Sequence, residues 1–315
     1  MNRLVSIEDI NEARQRIATA VRRTPLLHAR PVSSLQAACQ LYLKLENLQL
    51  GGAFKARGAA NTALSLGPAA LQKGLITASG GNHGIGVAAS AQAAGISAVV
   101  HLSTNASPEK VRKLESYGAE VVLAGEVWDD ANALALERAE REGRTYVHPF
   151  ADESVIAGQG TVALELLDDL PDVETVVIAI GGGGLISGMA TALKARLPGV
   201  RIIGVEAEGA PTLKNSRDAG TLVTLDKVTS KVATLSPRRS AAINLDVVTR
   251  LVDDIVLVSD AEMLEAARWL WQQFGVAAEL AGAAGAAALL NGRIPVRTDE
   301  KVCVLICGAG SDGVS

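Results

Sequence analysis

Lys55 stands in an apolar, glycine-rich segment of the sequence, GGAFKARG (51–58). Burial in such a segment disfavours the charged ammonium group and lowers its pKa, so the amine could react with a carbonyl group to form a Schiff base. A single lysine is far more often a solvated surface group. The chemical interpretation of Lys55 therefore depends on the other motifs that the fold brings to it.

Four consecutive glycines, Gly181 to Gly184, follow a β-branched run and precede a helical pattern. Backbone N–H groups in such a loop can converge on a phosphate, and the start of a helix adds a positive potential. A tight turn between a strand and a helix would need fewer glycines, so the pattern favours a phosphate site. With Gly188, and with Glu206 at the end of the next predicted strand, the same unit also matches a dinucleotide fingerprint, so an NAD site stays open here.

A second glycine-rich motif, ASGGNHGIG (78–86), also follows a predicted strand. The side chains of Ser79, Asn82 and His83, together with the glycine amides, could hold a carboxylate at the start of a helix. An equally good interpretation is a capped helix, with Ser79 or Asn82 as the cap and His83 merely exposed. This motif alone does not separate the two interpretations.

The elements that would position these motifs follow an α/β pattern, in which short β-branched runs alternate with alanine-rich helical stretches. This pattern predicts parallel sheets, which bind ligands at the carboxyl ends of their strands. An amphipathic helix is predicted after Ser6, with Asp9 three residues on. Residues 74–146 hold three strand–helix repeats and could form an inserted unit, whereas 207–250 is predicted to be loop-rich. The predicted strands are 41–46, 75–79, 97–102, 120–124, 175–180, 201–206, 254–259 and 302–307.

The composition argues against several classes of function. A net charge of −4, with 20% charged residues, gives no reason to expect nucleic acid or a membrane surface as a partner, and no apolar run is long enough to span a bilayer. The cysteines, Cys39, Cys303 and Cys307, are too few and too scattered for a disulfide framework or a metal site, which favours a reduced, cytoplasmic setting. Cys307 would end an interior strand, where a cysteine is by default a small buried apolar residue.

Together these motifs resemble the fold-type II pyridoxal-phosphate enzymes, specifically the group of serine/threonine dehydratases (threonine ammonia-lyases) and serine racemases. The resemblance runs nearly end to end, from RRTPLL through the Lys55, GNH and GGGG segments to the terminal CGAGSDG. It implies an α/β fold of two open three-layer α/β/α lobes, similar to the β subunit of tryptophan synthase. It also implies a large cofactor-binding domain, 1–73 and 147–315, with a small α/β domain, 74–146, inserted in it.

The resemblance implies a role for each matched position. The cofactor would be pyridoxal 5′-phosphate, with Lys55 as the Schiff-base lysine and general base, and Cys307 as the neutral partner of the pyridine nitrogen. Asn82 would contact the 3′-oxygen of the ring. The implied substrate-carboxylate loop consists of Ser79, Gly80, Asn82 and His83, and the further implied cofactor contacts are Phe54, Gly181, Gly182, Gly183, Gly184 and Leu185.

Two departures from the family pattern lie near the implied substrate site. Gly80 stands where racemases carry the serine that acts as base on the opposite face of the cofactor. Its absence weighs against racemisation and opens space near the substrate. The segment VATLSPRR replaces the usual Ala-Asp-Gly segment, and its Arg238 and Arg239 would either hold a second carboxylate or, as we prefer, lie exposed.

A third departure affects the divalent-metal site that the resemblance implies. Glu206 and Ala210 match two of its ligands, but Thr212 replaces the aspartate. Because Mg²⁺ and Mn²⁺ prefer carboxylate oxygens, we expect this site to be weak or absent.

The resemblance implies a lyase that removes the β-hydroxyl and amino groups of L-threonine, L-serine or a related β-hydroxy amino acid such as phenylserine, giving a 2-oxo acid and ammonia. The alternatives are serine racemase or another pyridoxal-phosphate-dependent β-eliminating lyase and, from another class, an NAD-dependent oxidoreductase. The family further implies a homodimer, and a sequence without the regulatory extension of biosynthetic threonine dehydratases suggests a role in amino-acid catabolism.

Overall fold

The computed structural model describes residues 4–30, 39–126 and 128–314. Its strands are β1 (Leu26–Ala29), β2 (Gln40–Lys44), β3 (Leu75–Ala78), β4 (Ala98–Leu102), β5 (Glu120–Leu123), β6 (Thr145–Tyr146), β7 (Thr175–Ala179), β8 (Arg201–Ala207), β9 (Asp254–Val258) and β10 (Lys301–Leu305). Its α-helices are α1 (Ile7–Ile17), α2 (Lys55–Ser65), α3 (Pro68–Lys73), α4 (Asn82–Ala93), α5 (Pro108–Glu115), α6 (Trp128–Glu142), α7 (Glu153–Asp169), α8 (Gly184–Arg196), α9 (Thr212–Ala219), α10 (Ala242–Leu251), α11 (Asp260–Phe274) and α12 (Leu280–Leu290).

The larger sheet has the strand order β1-β2-β10-β7-β8-β9, and only the β1–β2 pair is antiparallel. In its centre β10 places Val304 beside Leu43 of β2 and Val177 of β7. Every residue of β7 is buried, as expected for a parallel strand covered on both faces by helices. The carboxyl ends of β2, β10, β7 and β8 therefore lie along one edge of this sheet.

The smaller sheet has the order β5-β4-β3-β6, and all its neighbours are parallel. Buried residues of α4 and α5 pack with Val100 and Leu102 on one face, while Ala135 and Ala139 of α6 pack with Ile76 on the other. All four strands come from one continuous stretch of chain. The assignment of residues 74–146 to a separate inserted domain stays a prediction.

All the predicted strands are present, with small shifts at their ends, whereas the short strands β1 and β6 were not predicted. The predicted first helix is confirmed, because Asp9 N–H donates to Ser6 Oγ at 3.3 Å and Ser6 N–H donates to Asp9 Oδ2 at 2.8 Å. The loop-rich interpretation of 207–250 is partly wrong, because α9 and α10 lie there. Among the described residues, no helix has the length and apolar character needed to cross a bilayer.

Candidate active site

Lys55 begins α2 beside the segment that follows β10. Phe54 N–H donates to the carbonyl of Cys307 at 3.2 Å, and Ala309 N–H donates to the carbonyl of Gly52 at 2.8 Å. An isolated antiparallel bridge joins the two segments between these bonds. The predicted lysine and the predicted cysteine are therefore neighbours, although they come from opposite ends of the chain.

The Lys55 amine is held in a place that favours its neutral form. Nζ donates to the carbonyl of Pro149 at 2.6 Å and lies 5.1 Å from the centroid of the Phe54 ring. Burial lowers the pKa of Lys55 to about 8, although the neighbouring Cys307 and Glu279 act in the opposite direction. A large fraction of this amine is neutral at slightly alkaline pH, as the sequence interpretation required.

A buried cluster of charges fixes the first turn of α2. Arg57, two residues after the lysine, is 0% exposed. It donates to both carboxylate oxygens of Glu46 (2.8 and 2.7 Å) and of Glu165 (2.7 and 2.9 Å). Lys44 Nζ donates to Glu165 as well, at 2.9 Å. Burial alone would lower the pKa of Arg57, but Glu46 and Glu165 raise it above its ordinary value, so the guanidinium group stays charged.

The four glycines form the turn between β7 and α8. A Cβ added at Gly182 would lie 2.1 Å from the Phe150 ring, and one at Gly184 would lie 2.7 Å from the Phe150 carbonyl. Gly183 has a φ of +99°, in the left-handed region that favours glycine. Within the described chain, no group accepts a hydrogen bond from the backbone N–H groups of 181–185. These donors, at the start of a helix, are available to an anion such as a phosphate.

Two polar side chains hold the carbonyl side of this glycine loop. Ser240 Oγ donates to the carbonyl of Gly182 at 2.8 Å, and Asn244 Nδ2 donates to the same oxygen at 2.9 Å. Asn244 Nδ2 also donates to the carbonyl of Phe150 at 3.0 Å. Asn244 thereby ties the glycine loop to the segment that accepts the Lys55 hydrogen bond.

Asn82 begins α4 and pairs with a carboxyl group that the sequence analysis missed. Its Nδ2 donates to Glu279 Oε1 at 2.7 Å. Burial raises the pKa of Glu279 to about 7, against the effect of the Asn82 hydrogen bond. A Cβ added at Gly308, the residue after Cys307, would lie 2.2 Å from Glu279 Oε1 and 3.0 Å from Asn82 Nδ2. Because Gly308 also pairs with Ala53, these side chains meet beside the Lys55 segment.

His83 and Ser79 occupy the same loop. His83 is buried, so the alternative of an exposed histidine is wrong. Its Nε2 lies 2.9 Å from the carbonyl of Val147, which fits the neutral ring with Nε2–H donating. Burial, assisted by the charge of Lys55, lowers the pKa of His83 to about 3. Ser79 Oγ accepts from Gly81 N–H at 3.3 Å, which leaves its own proton for another acceptor.

Gly80 packs closely against Leu102, so a Cβ added there would point towards this side chain and not into open space. An added Cβ would lie 3.2 Å from Leu102 Cδ2 and 3.7 Å from Lys110 Cδ. The helix itself starts with Gly81 as its N-cap, without a side-chain cap, so neither Ser79 nor Asn82 acts as the cap.

Cys307 is 4% exposed, and its Sγ lies 3.6 Å from the carbonyl of Ala281 as a donor. Burial, together with the nearby Glu279, raises the pKa of its thiol far above the ordinary value. The group is therefore a neutral thiol. It is both a buried small residue and a group at the edge of the site, so the two interpretations of Cys307 are compatible.

The residues of the implied metal site are engaged in other contacts. Both oxygens of Glu206 accept hydrogen bonds of 2.8 Å from backbone N–H groups in the first turn of α9. Thr212 Oγ1 donates to the carbonyl of Pro237 at 2.6 Å, and Thr212 N–H donates to the carbonyl of Ala210 at 2.9 Å. In the described ranges no three metal-ligating side chains come together. This arrangement caps a helix and does not fit a divalent cation or a ribose hydroxyl.

Arg238 and Arg239 are exposed, which agrees with the interpretation that we preferred from the sequence. Arg238 Nε donates to the carbonyl of Leu225 at 3.1 Å, and Arg239 Nη1 donates to Thr224 Oγ1 at 2.7 Å. Both guanidinium groups therefore fasten the loop around 222–225.

Other contributors to the site were also missed, and their signals in the sequence are weak. Asn244 stands between the apolar Ile243 and Leu245 in the first turn of α10, and Phe150 is one of only three phenylalanines. Glu279 stands alone before the apolar run of α12. Each is recognisable only through a partner far away in the chain.

A protein-family model and several known proteins match this chain over most of its length. The family model described as "Pyridoxal-phosphate dependent enzyme" matches residues 17–308. The chain is 42% identical to an L-threonine ammonia-lyase of Geobacter sulfurreducens, over 95% of this chain and 74% of that protein. It is 39% identical to an L-threonine ammonia-lyase of Thermotoga maritima, over 98% of this chain and 76% of the other. The solved structure of maize serine racemase superposes with a TM-score of 0.92 at 34% identity, covering 98% of this chain and 94% of that one.

Proposed function

Because the chain belongs to the family of pyridoxal-phosphate dependent enzymes, we propose that it is an ammonia-lyase acting on β-hydroxy amino acids. It would remove the β-hydroxyl and amino groups of L-threonine, L-serine or a relative such as phenylserine, giving a 2-oxo acid and ammonia. Its two-sheet architecture is that of fold type II. The observation that carries the proposal is the Lys55 amine, with its pKa lowered to about 8, in one site with Asn82 and Cys307.

The residues present fit pyridoxal 5′-phosphate. The N–H groups of 181–185 bond to no acceptor in the part of the chain that the structure describes, and an added Cβ at Gly182 or Gly184 would collide with Phe150. We infer that the N–H groups of 181–185 would hold the phosphate and that Phe54, Asn82 and Cys307 would contact the ring. When bound, the cofactor supplies an electron sink for the electrons left at the substrate Cα.

The protein's own groups would divide the remaining work. Lys55, whose amine is half neutral at its pKa of about 8 and more so above it, would accept the Cα proton as general base. The start of α4, with Ser79 and Asn82, would bind the substrate carboxylate through N–H and side-chain donors. The neutral Cys307 thiol would offer the ring nitrogen no strong acid. This limits how far negative charge spreads into the ring and favours prompt loss of the β-hydroxyl.

A racemase is the second candidate, because maize serine racemase is a close structural neighbour. Gly80 argues against it, since glycine supplies no hydroxyl as a base on the second face. Incubation with L-serine and L-threonine, followed by measurement of 2-oxo acid and of D-amino acid, separates the two activities. Predominant D-serine formation would reject the lyase.

A panel of β-hydroxy amino acids, assayed for 2-oxo acid with and without Mg²⁺, tests the main proposal. Lys55→Ala is expected to lose both activity and the visible absorbance of the wild-type holoenzyme. Lys73→Ala, at an exposed lysine that ends α3, is the matched control and is expected to keep both. No 2-oxo acid from any member of the panel would contradict the proposal.

We also infer a homodimer and a cytoplasmic location for this enzyme. Family resemblance supports the first, and the scattered free cysteines support the second. Light scattering coupled to size-exclusion chromatography measures the first directly, and a monomeric mass for the holoenzyme would contradict it.

A further inference from the structure

Trp128 is a large aromatic side chain outside the apolar core. It begins α6 and is 47% exposed, in a chain with only three tryptophans. Its indole is nevertheless anchored, because Nε1–H donates to the carbonyl of Ala78 at 2.8 Å. An exposed ring held in one place differs from a mobile surface side chain, because its ordering entropy is already lost before a ligand arrives.

The anchoring point lies at the edge of the smaller sheet that carries the substrate loop. Val147 N–H donates to the carbonyl of Ile76 at 2.9 Å, just beyond the end of β6. Carbonyl groups two residues apart on a strand point towards the same neighbouring strand. The carbonyl of Ala78 therefore points to the β6 side of the sheet, like that of Ile76, but beyond the last residue of β6. The Trp128 N–H therefore supplies the hydrogen bond that a longer β6 would otherwise give to this carbonyl. The next residue is Ser79, the first residue of the implied carboxylate loop.

The start of α6 is itself fixed against β4. Thr104 donates to the carbonyl of Gly125 through its N–H at 2.9 Å and through Oγ1 at 3.0 Å. One turn into the helix, Tyr146 Oη donates to Asn132 Oδ1, on the same face as Trp128. The start of α6 is therefore held by the turn before it and by the Tyr146–Asn132 bond, and the indole is held by the carbonyl of Ala78.

We propose that Trp128 is a specificity-determining residue of the substrate site, where its ring contacts an apolar substituent on the substrate Cβ. The inference rests on the proposed function and narrows its substrate class to β-hydroxy amino acids with an apolar group at Cβ. Its N–H binds the carbonyl at the end of β3, and nearly half of the residue is left exposed. In a chain with 3% aromatic residues, this is a rare apolar platform next to Ser79.

Two variants separate the ring from its hydrogen bond. Trp128→Phe keeps an aromatic ring and loses the donor, whereas Trp128→Gln keeps an N–H donor and loses the ring. Trp271→Gln, at the 41% exposed tryptophan of α11, is the matched control. The measured quantity is the ratio of kcat/KM for L-threonine and for phenylserine to that for L-serine.

We expect Trp128→Gln to lower the threonine-to-serine ratio about fourfold, the effect of one apolar carbon leaving a contact, and the phenylserine-to-serine ratio further. Trp128→Phe should lower kcat/KM for all three substrates while keeping the ratios, and Trp271→Gln should change nothing. A purely structural Trp128 would give equal losses for all substrates in both variants, and that result overturns the inference.

The proposed function and this inference fail in different ways. If the wild type releases no 2-oxo acid, the proposed function fails. The inference is then tested by the dissociation constants of the three amino acids, read from the change they cause in cofactor absorbance. Unchanged ratios of these constants in a folded Trp128→Gln holoenzyme would overturn it as well.

Discussion

Replacing Arg57 by methionine removes the centre of the buried charge cluster at the start of α2. Methionine keeps a long, flexible side chain and takes away the guanidinium group. Glu46 then loses both of its hydrogen bonds from Arg57 and keeps, among the described side chains, only the Thr24 hydroxyl as a donor. Glu165 is better placed, because Lys44 still donates to it.

The expected loss of stability follows from burial. Glu46 is 0% exposed and Glu165 is 8% exposed, so neither carboxylate can recover its hydration without rearrangement. Removing one partner of such a buried pair costs about 3–5 kcal/mol. The double variant Glu46→Gln/Arg57→Met removes the uncompensated charge too, so we expect it to regain more than half of that loss.

Thermal unfolding of the holoenzymes, followed by circular dichroism at a fixed cofactor concentration, measures the effect. A loss of about 3 kcal/mol lowers the melting temperature of this 315-residue chain by about 4–5 °C, because the entropy of unfolding is roughly 2.1 cal/mol/K per residue. Arg250→Met, which breaks an exposed pair with Asp246 on α10, is the control and should cost at most about 1 kcal/mol. A loss for Arg57→Met as small as the control's, or a double variant less stable than the single one, refutes the reasoning.

Three further predictions concern the site itself. Thr212→Asp restores a carboxylate, and its melting temperature should rise when Mg²⁺ is added. The wild type should keep its activity in EDTA. Inactivation of the wild type by EDTA would contradict the loss of the metal site. Because burial lowers the pKa of Lys55 to about 8, the neutral amine becomes more abundant as pH rises, and the rate at which apoenzyme combines with cofactor should be half-maximal near pH 8 by stopped-flow absorbance. A flat profile across that range would contradict this pKa. Gly182→Ala places a Cβ 2.1 Å from the Phe150 ring and should weaken cofactor binding about tenfold or more. The control Gly199→Ala, whose Cβ would meet nothing within 4 Å, should leave the affinity unchanged. Equal affinities of the two variants for the cofactor would contradict a phosphate site at 181–185.

Much of the fold could be predicted because its signals are local. The strand runs are continuous and β-branched, as buried parallel strands require, and the glycine turn at 181–184 directly follows one of them. The first helix carries its start signal in Ser6 and Asp9. The irregular appearance of 207–250 hid α9, because the group that stabilises its first turn is Glu206, on the preceding strand.

The parts of the site that could not be predicted from the sequence are contacts between residues far apart in the chain. Asn82 meets Glu279 across 197 positions, and Asn244 meets Phe150 across 94. No local period or spacing encodes such a meeting, since it results from the packing of one sheet edge against another. The same holds for Arg57, whose role as the centre of a charge cluster is invisible from its two neighbouring alanine and glycine residues.

The position of β10 has a consequence for how the molecule is made. This strand comes after β9 in the chain, yet it joins β2 to β7 in the larger sheet. A growing polypeptide can assemble the smaller sheet from one continuous stretch, since its strands follow one another closely. The larger sheet stays in two separate pieces until β10 has been synthesised and inserted between them. Because Cys307 and the partner strand of the Lys55 segment arrive with β10, we expect the nascent chain to acquire its cofactor only as one of the last events of folding.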